Sequence, residues 1–271
     1  MSVIASPLRP SSTTIRWPMV AMAVALAMLA GGCRSLADGD AATGLPWSRS
    51  TQLVLVTTAD WDASRGTLQA FERDGDQWRA ASAPAPVVIG RAGSAWGSGL
   101  HPAQGGPAKR EGDGRAPAGV FPIGSAFGYA SGVSTALPYR AMRASDYCID
   151  VSQSPLYNRI VDSDQVGAAA VAGSTEPMRR DLHANGDQRY KLGFVIGHNA
   201  AGAADAGSCI FAHLWKAADE ATAGCTAMDE ATMRSLLGWL RPQHQPVFVL
   251  LPKPEYQRLR SGWALPSPTP R

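Results

Sequence analysis

The body of the chain alternates short apolar runs with turn-forming residues, a pattern that predicts a mainly β fold with a few helices. Four of the runs have the length of a buried strand, and they cover residues 52–58, 194–199, 208–214 and 246–252. Residues 66–81 form two strand-like halves joined at Asp74-Gly75, which is a signal for a β-hairpin.

One helix is predicted near the C-terminus. Asp229 is a suitable N-cap, the apolar residues behind it recur at helical spacing, and Pro242 ends the run. Those apolar residues are Met233, Leu236, Leu237 and Leu240. Residues 124–180, by contrast, have no sustained period and are rich in Gly, Ser and Pro, so we expect long loops over the sheet there.

The N-terminus has the pattern of an export signal. Residues 1–18 contain Arg9 and Arg16 but no acidic residue, and residues 19–30 are unbroken and apolar. This apolar run is too short to span a bilayer, but its length suits the core of a secretory signal. We therefore predict a lipoprotein signal peptide at residues 1–32 and an exported protein.

Cys33 follows Ala30 and two glycines in a pattern that resembles a bacterial lipobox. The resemblance implies that Cys33 is acylated and anchors the protein in the outer or inner membrane, and Arg34 favours the outer one, on its periplasmic side. An ordinary signal peptide with an incidental cysteine is the alternative. Residues 33–50 then form a flexible tether, residues 51–253 one large domain and residues 254–271 a C-terminal tail.

The charge of the predicted mature protein argues against a nucleic-acid partner. Removal of Arg9 and Arg16 with the signal leaves 23 of 25 basic residues against 22 acidic ones, a net charge of +1. Binding to nucleic acid would require a clustered basic surface.

Three cysteines remain after Cys33, and an exported protein meets an oxidising compartment in which thiol pairs become disulfides. Cys148 and Cys209 lie in apolar, strand-like surroundings, whereas Cys225 follows Gly224 in a turn. We therefore predict a Cys148–Cys209 disulfide and a free Cys225. The rival pairing of Cys209 with Cys225 would silence that thiol and could act as a redox switch.

A cysteine nucleophile needs a base near neutral pH, and His213 is a candidate. It lies at the end of a predicted strand, twelve residues before Cys225, and the chain between them is long enough to return. Spacing alone is weak evidence for such a pair.

Five ordered blocks resemble the L,D-transpeptidase catalytic-domain family (YkuD-like), in the branch with a shortened active-site motif. The blocks are KREGDGRAPAGVFPIGSAFGY (109–129), LPYRAMRASDYCIDVSQSPLYNRIVD (137–162), GFVIGHN (193–199), GSCIFAHLW (207–215) and TAGCTAM (222–228). The similarity covers roughly residues 53–252. The family's usual motif reads Ser/Thr-His-Gly-Cys after a longer gap, and here Ala223 replaces that second histidine. Residues 109–115 form either a solvated charged turn or a substrate contact.

The resemblance implies a β-sandwich or β-sheet catalytic domain in which Cys225 is the nucleophile and His213 the proton donor and acceptor. The implied substrate is a peptidoglycan stem peptide, cleaved through a Cys225 thioester that an amine resolves, without a cofactor. Sensitivity to carbapenem-type inhibitors is implied as well. Resolution by water would instead give an L,D-carboxypeptidase or endopeptidase. A non-catalytic peptidoglycan-binding lipoprotein is the alternative from another functional class.

Five more residues are assigned to the oxyanion or substrate-binding part of the site: Gly224, Thr222, His198, Asn199 and Ser208. Backbone N–H groups around Gly224 and Cys225 are the oxyanion candidates. His198 and Asn199 line the donor cleft by resemblance, and a hydrogen-bonded structural role is equally open for His198. No metal site is predicted, because His198 and His213 lack the third protein ligand that zinc requires.

Overall fold

The computed structural model describes residues 44–267, so the predicted signal peptide and Cys33 lie outside the described residues. The strands of this range are β1 Gln52–Thr58, β2 Arg65–Asp74, β3 Gln77–Ala80, β4 Ala85–Val88, β5 Ser94–Trp96, β6 Ala116–Gly128, β7 Tyr139–Ala141, β8 Asp146–Cys148, β9 Ile160–Asp162, β10 Glu176–Pro177, β11 Leu192–Ile196, β12 Phe211–Leu214, β13 Thr226–Met228 and β14 Val247–Pro252. Its α-helices are α1 Ser163–Val166, α2 Arg180–His183, α3 Glu230–Trp239 and α4 Lys253–Leu259. Short 3₁₀ helices cover Ala168–Val171, Arg189–Lys191 and Pro242–His244.

Eight of the strands pair in a closed ring, which confirms the prediction of a mainly β fold. The order around the ring is β1, β14, β6, β11, β12, β13, β4 and β2, and β2 pairs with β1 to close it. The β1–β14 and β12–β13 pairs are parallel, and the other neighbours in the ring are antiparallel. Closure pairs both edges of every ring strand, which removes the exposed edges of an open sheet.

The predicted strands and helix lie where the apolar pattern put them. The four apolar runs correspond to β1, β11, β12 and β14, and β2 and β3 form the hairpin, with Gly75 at a φ of +59° in the turn. β14 is buried along its whole length, as its unbroken apolar sequence requires. Helix α3 begins after Asp229, whose carboxylate accepts a hydrogen bond from the Thr232 N–H at 2.8 Å, and it buries Met233, Leu236 and Leu237.

The expectation of long loops over residues 124–180 is wrong in part. Strands β8, β9 and β10 form a separate three-stranded sheet in this region, and helices α1 and α2 accompany it. These elements are two to four residues long, which is too short to produce a hydrophobic period. We call residues 142–191 the cap, because side chains from its second half cover the candidate site described below.

The predicted tether and tail are also wrong over the residues that the structure describes. Trp47 is only 1% exposed, and its indole N–H donates to the backbone oxygen of Trp263 at 3.1 Å. The two indole rings meet edge to face at 5.5 Å, and Leu265 is buried beside them in the same core. Burial of aromatic surface stabilises the fold strongly, so both segments belong to the domain. In the described part of the chain, the helices are too short or too polar to cross a bilayer.

Candidate active site

Cys225 and His213 project from neighbouring strands toward the same cavity. In the parallel β12–β13 pair, Ala212 is opposite Thr226 and His213 is opposite Ala227. Cys225 lies one residue before Thr226, and its sulfur accepts a hydrogen bond from the Phe211 N–H at 3.3 Å. Because residues two apart on a strand share a face, Cys225 and His213 lie on the same side of the sheet.

The thiol of Cys225 is buried and uncharged at neutral pH. The side chain is 8% exposed, and burial raises the pKa of the thiol to about 12. The Glu176 carboxylate raises the pKa further, whereas the hydrogen bond from the Phe211 N–H lowers it. The thiol itself donates to the Cys209 carbonyl at 3.5 Å. Another base must therefore take the proton when the sulfur reacts.

His213 has one ring nitrogen available for that task. Its Nδ1 lies 2.7 Å from the Leu214 carbonyl, a contact that requires the proton to be on Nδ1. In neutral imidazole, Nε2 is then an acceptor, and it has no hydrogen-bond partner among the described residues. Burial lowers the pKa of His213 to about 4, so the ring is neutral and basic at pH 7.

Four side chains of the cap cover the cavity that holds Cys225 and His213. The cavity has a volume of about 130 Å³, and these covering residues are Glu176, Arg180, Arg189 and Tyr190. The Tyr190 and His213 rings pack edge to face, with 5.2 Å between the centroids. The Tyr190 hydroxyl donates to Glu176 Oε1 at 2.7 Å, and Arg180 donates to the same oxygen at 3.0 Å.

Sequence reasoning missed all four of these residues. Glu176 lies on a two-residue strand and Arg180 begins a four-residue helix, so neither belongs to a pattern with a period. The only local signal is Tyr190, which comes shortly before the predicted strand β11. Ion pairs with Asp187 and Glu176 hold the two arginines in place, and the sequence does not show which of its many charged residues pair in this way.

The Thr222–Cys225 turn is held by Thr222, which therefore has a structural role. Its hydroxyl donates to the Cys225 carbonyl at 2.6 Å and accepts from the Gly224 N–H at 3.1 Å. The prediction that the Gly224 N–H serves an oxyanion is thus wrong for this structure, because that donor is already used. The lack of a side chain at Gly224 has a packing reason, because a Cβ there would lie 3.0 Å from the Arg115 carbonyl oxygen. The Cys225 N–H has no acceptor among the described residues.

His198 and Asn199 are buried and hydrogen-bonded to backbone, and His198 also lines a cavity of about 330 Å³ beside Phe211. His198 Nδ1 accepts from the Ser98 N–H at 3.2 Å, and Nε2 contacts the Ala206 carbonyl at 2.9 Å. The Asn199 amide donates to the carbonyls of Ala203 and Gly207 at 2.9 and 3.0 Å. Both residues are at most 2% exposed, and neither lines the cavity that contains Cys225, so the structural reading of His198 is favoured and the substrate-binding role stays a prediction.

Ser208 and the cap residue Tyr157 both bind Glu111 in the charged turn of residues 109–115. The Ser208 hydroxyl donates to Glu111 Oε2 at 2.7 Å, and the Tyr157 hydroxyl donates to the same carboxylate oxygen. Within the turn, Lys109 pairs with Asp113 at 2.6 Å, and Asp113 also accepts from two backbone N–H groups. Arg115 pairs with Asp62 outside the turn at 2.7 Å. The charged side chains of the turn are thus largely used by protein partners, which supports the structural reading of this segment and of Ser208.

The predicted disulfide is present and Cys225 is free. Cys148 and Cys209 are bonded, with 5.9 Å between their Cα atoms. The bond joins β8 of the cap to the residues that lead into β12. Cys209 has a φ of +55°, and its N–H donates to Asn158 Oδ1 at 2.8 Å. The chain before His213 is therefore fixed both by the disulfide and by a hydrogen bond to the side-chain amide of Asn158.

Comparison with known proteins does not name a family: no family model, no curated protein and no solved structure matches this chain.

Proposed function

We propose that the protein is a cysteine-dependent L,D-transpeptidase that acts on peptidoglycan stem peptides. The observation that carries the proposal is the shared cavity of Cys225 and His213, with the acceptor Nε2 of His213 left without a protein partner. The five-block resemblance supplies the substrate class and the YkuD-like fold assignment.

The first half of the reaction forms a thioester. The Cys225 thiol gives its proton to Nε2 of His213, and the sulfur attacks the carbonyl of the bond between the L-centre and the D-centre. The protonated imidazole then passes the proton to the leaving amine, and the C–N bond breaks. Because the thiol pKa is about 12 and the His213 pKa about 4, proton transfer accompanies the attack instead of preceding it.

The second half resolves the thioester. An acceptor amine gives its proton to His213 and attacks the carbonyl, and the thiol is released with that proton. The Cys225 N–H has no acceptor among the described residues and is therefore available to an oxyanion, and a preorganised donor there stabilises the transition state. Water as the acceptor turns the same chemistry into a carboxypeptidase or endopeptidase reaction.

Export and lipidation are part of the proposal. A protein anchored through an acylated Cys33 reaches peptidoglycan from the periplasmic side of the envelope. Intact mass of the mature protein from a bacterial envelope tests this directly, because acylation and cleavage before Cys33 both change the mass.

The activity test uses a tetrapeptide stem with an amine acceptor. We expect release of the terminal D-residue and formation of a peptide–acceptor product by the wild type. The Cys225→Ser variant should make neither at a measurable rate, because a serine hydroxyl is much less acidic than a thiol. Turnover by a clean Cys225→Ser preparation would remove Cys225 from the nucleophile role.

A further inference from the structure

A second and larger cavity adjoins the one that contains Cys225. It has a volume of about 580 Å³, a size in the range of ligand-binding pockets, and it shares Arg180 and Arg189 with the Cys225 cavity. The smaller cavity of about 130 Å³ holds only a few atoms beside the thiol. A peptide that reaches Cys225 through the larger cavity therefore passes these two arginines.

Both arginines are fixed, and each retains an unused donor group. Arg180 Nε donates to Asp187 at 2.9 Å and its Nη1 donates to Glu176 at 3.0 Å. Arg189 Nε donates to the same Asp187 at 2.9 Å. Arg180 Nη2 and Arg189 Nη1 have no acceptor among the described residues. A guanidinium held rigidly by one carboxylate loses little entropy when it binds another.

The remaining wall adds a cation and an aromatic surface. Lys216 and Trp215 line the larger cavity on the β12 side, while Asp187 is its one acidic lining residue. Glu176 and Glu220, which do not line this cavity, pair with Arg180 and Lys216, so the preference for an anion rests on the two unused guanidinium donors and not on net charge. Guanidinium donors of fixed geometry favour a carboxylate ligand.

From this arrangement we infer that the larger cavity is a carboxylate-binding subsite next to Cys225, with Arg189 and Arg180 as its specificity-determining residues. Its ligand class is a peptide arm that bears a carboxylate. The assignment of that arm to a stem peptide rests on the proposed function, whereas the preference for an anion near the thiol does not.

The preference for an anion is tested by alkylation of Cys225 with two reagents. Iodoacetate and iodoacetamide react alike, since the thiolate sulfur forms a bond to the CH₂ carbon and iodide leaves, but only iodoacetate carries a charge. The ratio of their rate constants on one thiol cancels differences in access and in thiol pKa. We expect the rate constant for iodoacetate divided by that for iodoacetamide to be about threefold lower in Arg189→Gln and in Arg180→Gln than in the wild type. This is the size of effect seen for a partly exposed charge pair.

Two further variants control for fold and charge. Arg189→Lys keeps the charge, so its ratio of alkylation rate constants should stay close to that of the wild type. Arg234→Gln removes an arginine that is paired to Glu230 on α3 and lines neither cavity, and its ratio should equal that of the wild type. Melting curves show which variants fold. Ratios in folded Arg189→Gln and Arg180→Gln equal to that of the wild type would overturn the subsite.

Peptide substrates then identify the source of the carboxylate. If Arg189→Gln slows acyl-enzyme formation from a tetrapeptide, but not from its carboxamide analogue, the carboxylate belongs to the acyl donor. An effect on aminolysis alone assigns it to the acceptor. Equal effects on acid and amide would contradict the subsite. If the wild type turns over no stem peptide, the proposed function fails, and the alkylation ratio still decides whether the subsite exists.

Discussion

His198 and His213 are two histidines that are buried to a similar extent, but their ring nitrogens are used differently. Burial lowers the pKa of each to about 4, and each contacts a backbone carbonyl. The second nitrogen of His198 accepts from the Ser98 N–H, whereas the second nitrogen of His213 faces the cavity that contains Cys225. Burial and pKa therefore do not distinguish these two rings, whereas the use of the second ring nitrogen does.

The surroundings of the two rings differ accordingly. His198 packs against Phe121 at 5.8 Å and holds the loop of residues 199–207 to Ser98. His213 meets Tyr190 and the charged side chains of the cap. The His198 ring holds two backbone segments together, whereas the His213 ring lines the cavity that contains Cys225.

Loss of His213 should have the largest effect on activity. His213→Ala removes the proton acceptor, and we expect turnover of a tetrapeptide at pH 7 to fall by about 10²- to 10⁴-fold. Because the thiol can ionise unaided at high pH, the rate should recover partly as the pH rises. A pH–rate profile of wild type and variant measures both effects, and a rate at pH 7 equal to that of the wild type would contradict the role of His213.

Both histidines should make the fold sensitive to acid. Each has a folded pKa of about 4 against 6.5 for the ordinary group, so the unfolded chain binds the proton more readily. Their contribution is complete above pH 6.5 and is lost as the pH falls toward 4, by up to about 3 kcal/mol for each histidine. Denaturant unfolding across this range measures the loss.

The control for this titration is the same experiment on each single histidine variant. Replacement of either histidine should remove part of the pH dependence between 6.5 and 4. If the pH dependence of both variants matches that of the wild type, the two rings are not buried in neutral form.

Loss of His198 should affect stability and leave the chemistry intact. His198→Ala removes two hydrogen bonds and opens a cavity among Phe121 and its neighbours, at a cost of about 2–3 kcal/mol in the free energy of unfolding. We expect kcat per folded molecule to stay near the wild-type value, because His198 does not reach the Cys225 cavity. A hundredfold fall in kcat without unfolding would show that the two regions are not separate.

The smallest effect concerns the charge that faces Cys225. Glu176 raises the pKa of the thiol, so Glu176→Gln should lower it and speed alkylation by iodoacetamide at pH 8, by about threefold. Glu230→Gln is the matched control, because Glu230 lies on α3 and lines neither cavity. A rate that falls in Glu176→Gln, or that rises equally in both variants, would count against this electrostatic contact.

The sequence predicted the parts of this site that depend on local pattern. Strand β12 has an apolar run that places His213, and the disulfide followed from the surroundings of Cys148 and Cys209. The cap could not be predicted, because Glu176 and Arg180 lie on elements too short for a period and are positioned by ion pairs. The two readings of His198 stayed open, since a sequence does not reveal that the Ser98 N–H and the Ala206 carbonyl occupy both nitrogens. Trp47 and Trp263 bind each other and place the predicted tether and tail in the core. Because the two residues are 216 positions apart, no local sequence pattern reveals their contact.

The central claim is that Cys225 is acylated with His213 as its base, and intact mass after a rapid acid quench tests it most directly. Wild-type protein mixed with a tetrapeptide stem in the absence of an amine should gain the mass of the peptide less its terminal D-residue, and digestion should place that mass on the peptide that contains Cys225. His213→Ala should gain it far more slowly at pH 7, and Cys225→Ser not at all. Release of the terminal D-residue by a protein that forms no adduct, or an adduct on a residue other than Cys225, would contradict the claim.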